Sequence, residues 1–114
     1  MKVAMFGQRC YAFAMEKMHK VHLFETERFF LDVYCLEPGQ SQKSHAHVGS
    51  DKVYAVLEGA VLARVGGEEQ ELRAGQAVLA PAGSEHGIEN RSQARAAVLV
   101  LMAPNADATG KLPK

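Results

Sequence analysis

The chain has 114 residues, enough for one packed core and too few for two. Hydrophobic residues make up 47% and charged residues 23%, an ordinary balance for a globular domain. Lys plus Arg equals Asp plus Glu at 13 each, so there is no basic excess to bind nucleic acid or an anionic membrane. Val3–Phe6 is too short for a signal-peptide core, and no apolar run approaches the roughly 18 residues of a spanning helix. A cytoplasmic protein is expected, with neither nucleic acid nor membrane as partner. Cys10 and Cys35 form no C-x-x-C pair and read as two reduced thiols, Cys35 packed within a strand.

In chain order, residues 1–19 are the least legible. Ala12–Lys20 reads equally as a first strand, a short helix or an arm. Phe29–Leu36 is aromatic and β-branched and stops at Pro38-Gly39, the pattern of a strand and a turn. Val53–Leu57 runs to Gly59, and Val61–Val65 runs to Gly66-Gly67. That dipeptide signals a two-residue hairpin, since both positions tolerate positive φ. Glu69–Leu72 is the polar return strand. Ala77–Ala80 reads as a short buried strand ended by Pro81. Asn90–Gln93 is a polar turn, and Ala96–Met102 is the last apolar strand before Pro104. Seven or more short strands, with turn signals about every ten residues, predict an all-β antiparallel sandwich or barrel. Residues 105–114 read as a frayed tail with little to bury.

Five histidines occur. His45 and His47 are two apart just beyond the Pro38-Gly39 turn. In a strand, residues i and i+2 face the same way, so both imidazoles can address one ion. Alone, His-x-His is a weak signal. His86 strengthens it, because it follows the Pro81–Glu85 turn and opens a strand toward Ile88 and Asn90.

Gly39, five residues, His45-Ala46-His47 and then Val53–Gly59 resemble the first motif of the cupins. Gly75, five residues, Pro81-Ala82-Gly83, two residues, His86, three residues and Asn90 resemble the second. The resemblance covers about residues 20–103. It implies a cupin barrel, a double-stranded β-helix or jelly roll, over residues 20–104. It also implies a metal site of His45, His47 and His86 holding one divalent transition ion (Fe, Mn, Ni or Zn). Tyr54 and Asn90 are candidate pocket-lining residues, although each serves equally well to satisfy barrel backbone. His19 and His22 lie outside both motifs and read as surface or rim residues. Glu85 is a candidate proton carrier that alternates away from His86 if the strand has begun there.

The first motif of the family also carries a glutamate. Counting forward from His47 puts Asp51 at that position, and counting back from Gly59 puts Lys52 there. A lysine about 4 Å from a divalent ion, at an effective dielectric near 20, meets repulsion on the order of 8 kcal/mol. A bound ion therefore requires Lys52 to swing outward or lose its proton, and leaves Asp51 as a doubtful pocket-lining group. Residues 53–57 are apolar throughout, so alternation does not say which of the two faces inward.

Three functions fit. The first is a mononuclear metalloenzyme of dioxygenase, isomerase or decarboxylase type, acting on a small anionic or chelating molecule. The second is a non-catalytic binder of such a molecule. The third is a metal-free acid–base catalyst using Lys52 and a histidine. Small cupins frequently pair, so a homodimer is expected. Imidazoles with pKa near 6.5 must shed protons to coordinate, so metal affinity should fall steeply below about pH 6 in an equilibrium titration. Flat occupancy from about pH 7.5 to 5 would contradict a three-imidazole site.

Overall fold

The computed structural model describes residues 1–8 and 11–105; Cys10 and the tail expected beyond Asn105 lie outside them. The described residues form nine strands: β1 (His19–Glu25), β2 (Phe30–Leu36), β3 (Ser41–His45), β4 (Asp51–Glu58), β5 (Ala60–Val65), β6 (Glu68–Arg73), β7 (Ala77–Ala80), β8 (His86–Glu89) and β9 (Ala96–Ala103). They pair antiparallel in two sheets, β1-β2-β9-β4-β7 and β3-β8-β5-β6. This is the all-β antiparallel arrangement that the pattern of strands and turns predicts, and the jelly roll, or double-stranded β-helix, that the resemblance implies.

Alternation along each strand divides the apolar residues between two layers. Tyr34 and Leu36 of β2, Tyr54 and Val56 of β4, Val98, Val100 and Met102 of β9, and Ile88 of β8 fill the barrel. The opposite face of β2 and β9 buries Val33, Cys35 and Ala97 beneath Tyr11, Phe13, Val21 and Leu23. The illegible N-terminal segment thus covers the outer sheet face, and its first strand begins at His19.

Two local readings need correction, and a third, the two-residue hairpin at Gly66-Gly67, is borne out. β7 is not buried: Ala77 and Leu79 are exposed and only Ala80 is buried, because β7 is the edge strand and pairs with β4 alone. At the Gly66-Gly67 turn only Gly66 takes positive φ (64°), which suits the first central position of a type II′ hairpin. Asn105 is fully buried, and its amide donates to the Thr26 carbonyl at 2.9 Å, so the chain is anchored there rather than frayed.

Asn90 joins the two turns at one end of the barrel. Its Nδ2 donates to the carbonyls of Leu36 (3.0 Å) and Ala94 (2.8 Å), while Oδ1 accepts from the Ser92 amide and hydroxyl. Its own backbone closes onto Gly39 and Gln40. Each buried polar group left without a partner costs about 1–3 kcal/mol. Asn90→Ala is therefore expected to lower unfolding free energy by on the order of 3 kcal/mol in urea denaturation, with the histidine cluster left in place.

Candidate metal centre

The site begins with a β-bulge. β3 and β8 pair as Ser41↔Glu89 and Gln42↔Ile88, and then the register jumps so that His45 stands opposite His86. Lys43 and Ser44 together face the single residue Gly87. That insertion turns His45 toward the ring across from it. Gly87 permits the bulge because a Cβ there would lie 2.8 Å from the Gln42 carbonyl oxygen and 3.0 Å from the Ser44 nitrogen. His47 sits just past β3, where its carbonyl accepts the Gly83 amide at 2.8 Å. The turn leading into His86 is thereby tied to the stretch that carries the other two histidines.

The three rings meet. Centroids lie 4.8 Å apart for His45 and His47, 4.5 Å for His45 and His86, and 5.6 Å for His47 and His86. One ligand atom from each falls within 4.8 Å of the other two. Metal bonds of about 2.0–2.1 Å need donor atoms about 3 Å apart, a distance that modest ring rotations reach. His45 Nδ1 donates to the Lys43 carbonyl at 2.8 Å, and His86 Nδ1 donates to the Ser84 carbonyl at 3.0 Å. A carbonyl only accepts, so both Nδ1 atoms carry the proton and both Nε2 atoms present a lone pair. His86 Nε2 is buried without a hydrogen-bond partner, the atom that a bound ion would satisfy. The donor set and its geometry fit one transition-metal ion. Burial pulls the His86 pKa down to about 4, with help from the nearby charges of Lys52, His45 and His47 and against the Ser84 carbonyl. Neutral, lone-pair-bearing imidazole is the form that coordinates.

The ambiguity at the glutamate position is resolved by alternation in β4. Lys52 and Tyr54 face inward and are fully buried, whereas Asp51 is exposed. Asp51 does not join the pocket; its Oδ1 accepts the Ala82 amide at 2.9 Å and steadies the turn before His86. Lys52 does not swing outward, so a bound ion would require loss of its proton or a counter-charge between the two. Its Nζ lies 5.5 Å from the Tyr34 ring centre and 5.3 Å from that of Tyr54, against two electron-rich faces that suit a cation. Tyr54 lies 6.1 Å from His86, centre to centre, and its hydroxyl donates to Gln42 Oε1 at 2.5 Å. Burial raises the Tyr54 pKa and keeps that proton in place. Asn90 serves the turns described above rather than the pocket. Glu85 is exposed and lies just before β8, so alternation along that strand does not place it.

A pocket of about 360 Å³ opens onto His45 and His47. Its wall includes Lys20, Gln42 and Lys43, which no motif marks. His22 is largely exposed, and its Nδ1 pairs at 3.0 Å with Asp32 of β2, whose buried carboxyl is pushed above its usual pKa by desolvation. Strand pairing was the only available signal for that contact, and no strand was assigned from the sequence to the residues around His22.

A small jelly roll brings three histidines together from β3, the following loop and β8, a group that could hold one metal ion. The chain belongs to the cupin family: the profile described as "Cupin domain" matches residues 32–102. It is 48% identical to TT1209 from Thermus thermophilus, with a TM-score of 0.88 over 91% of this chain and 98% of that one. A sugar phosphate isomerase of the cupin superfamily from Silicibacter pomeroyi is 30% identical, with a TM-score of 0.62 over 67% of this chain and 50% of that one. The tetracenomycin polyketide synthase protein TcmJ of Streptomyces glaucescens is 39% identical over 75 residues, 66% of this chain. The chain spans about half the length of that curated relative.

His86 gives a pH signature. Its folded pKa of about 4 lies below the unfolded value of 6.5, so protons favour the unfolded chain between those limits. Its contribution to stability is complete above about pH 6.5 and is lost as pH falls toward about 4, by up to about 1.4 kcal/mol per pH unit. Urea midpoints in EDTA should show this slope, and His86→Leu should flatten it.

Proposed function

We propose that this cupin is a mononuclear metalloenzyme acting on a small acidic or chelating molecule. The observation that carries the reading is the buried, unpartnered His86 Nε2 converging with His45 and His47. Three neutral imidazoles suit Fe(II), Mn(II), Ni(II) or Zn(II), and the ion supplies Lewis-acid or oxygen-activating chemistry when bound. His45, His47 and His86 hold it. The carbonyls of Lys43 and Ser84 fix two of those rings in the coordinating tautomer. Gln42 and Tyr54 orient one another across the barrel, and the pocket admits a small molecule to the two half-buried rings. The sugar phosphate isomerase among the relatives supports an acidic substrate and a catalytic role.

A metal-free acid–base catalyst is the second reading, favoured by the burial of Lys52 beside His86. A non-catalytic binder would be stabilised by ligands without turning them over. A cytoplasmic homodimer belongs to the same proposal. Its support is the exposed Leu79 and Leu101, both cross-strand neighbours of Val53 on the outer sheet face. Light scattering should return twice the chain mass.

Metal analysis and activity assays test the main reading together. Protein prepared without added metal should take up one equivalent of Fe, Mn, Ni or Zn. His45→Ala and His86→Ala should each weaken that uptake at least about tenfold. The loaded protein should then turn over phenolic, thiol or keto-acid compounds, followed by oxygen consumption or product formation. Refusal of all four ions at micromolar concentration contradicts the metalloenzyme, and activity that survives EDTA but not Lys52→Ala favours the second reading.

A further inference from the structure

We infer that Lys52 selects the substrate: it holds the carboxylate of a small apolar or aromatic acid whose second oxygen reaches the point where the three histidines converge. The second-oxygen contact rests on the metal-site reading above, whereas the contact with Lys52 does not. Charge placement is the first argument. The chain as a whole is neutral, yet among the described residues the pocket wall gathers Lys20, Lys43 and Lys52 and no carboxylate. Asp32 lies nearby on β2, where it is hydrogen-bonded to His22 and also feels the charge of Lys20, so Lys43 and Lys52 carry the argument. A concave site lined by one sign of charge raises the local concentration of the opposite sign.

Placement of Lys52 is the second argument. It occupies the inward position at which the family's motif carries a glutamate, 2% exposed, with its ammonium against Tyr34 and Tyr54. A bound acid would bring negative charge to this wall. Such an acid lies between the ammonium and the ion and relieves their mutual repulsion, so acid and metal should strengthen one another's binding. Lys20 also approaches the Tyr34 ring, at 5.2 Å, and adds a second cation beside that ring.

The rest of the wall sets the body of the ligand. Phe30, Tyr34 and Met102 line the same cavity and offer apolar and aromatic surface. A compact, heavily hydrated anion such as phosphate makes no use of that surface. An acid with a ring or short hydrocarbon body does.

The test uses salicylate, which pairs a carboxylate with a neighbouring phenol oxygen on an aromatic ring. Binding is followed by calorimetry in EDTA-treated and in Zn(II)-loaded protein, with salicyl alcohol and inorganic phosphate as comparators. Salicylate should bind both forms, the Zn(II)-loaded one more tightly, and should outcompete both comparators. Lys52→Met should weaken salicylate binding about ten- to hundredfold, the range for a lost hydrogen bond to a charged group. Zn(II) affinity should hold or rise in the same variant. Lys52→Gln carries the same test should Lys52→Met fail to fold.

Equal salicylate affinity in the variant overturns the inference. So does absence of wild-type binding at millimolar salicylate, equal binding of salicyl alcohol, or a preference for phosphate. Lys52-dependent salicylate binding in a protein that refuses Zn(II) sustains the role of Lys52 and removes the metal reading instead.

Discussion

The site depends on the pairing of two strands across a bulge. Lys43 and Ser44 crowd opposite Gly87, and the resulting shift places His45 directly across from His86. A one-residue change of register in a strand turns every side chain to the other face. Without the bulge, His45 would face away from the interior where His86 lies. The hydrogen bond from the Gly83 amide to the His47 carbonyl then locks the loop carrying His47 to the turn preceding His86. Two distant stretches of chain are thus held together by backbone, and the imidazoles inherit that rigidity.

Electrostatics gives this barrel its individual character. Backbone carbonyls fix the Nδ1 protons of His45 and His86, and burial favours the neutral form of His86. The lysine beside them lies between two tyrosines that Gln42 connects by hydrogen bonds. Burying a cation is costly unless its surroundings compensate, and aromatic faces do so in part. The consequence is a cavity with one buried cation, Lys52, on its wall and two exposed ones, Lys20 and Lys43, beside it.

Much of this was legible in the sequence, and the limits have physical causes. Pro38-Gly39, Gly66-Gly67, Pro81 and Pro104 marked strand ends because those residues constrain the backbone locally. His45, His47 and His86 were named together through the resemblance to two ordered cupin motifs, since the spacing of residues so far apart in sequence does not by itself bring them into contact. The inward residue of β4 was hidden, since this central strand has neighbours on both sides and apolar residues at every position from Val53 to Leu57. Asp51 and Asn90 were drawn toward the pocket by their motif positions, yet each spends its side chain on the backbone of a neighbouring turn. Lys20 and Lys43 escaped notice because they reach the cavity only through pairing of β1 with β2 and through the bulge itself. No local pattern announces either.

The most direct test is an anomalous difference map from crystals of the protein grown with Zn(II) or Ni(II) at saturating concentration and measured at the metal edge. The account predicts one peak inside the barrel, within about 2.0–2.2 Å of Nε2 of His45, His47 and His86. An ion found only elsewhere, with those three rings still unbridged, would contradict it.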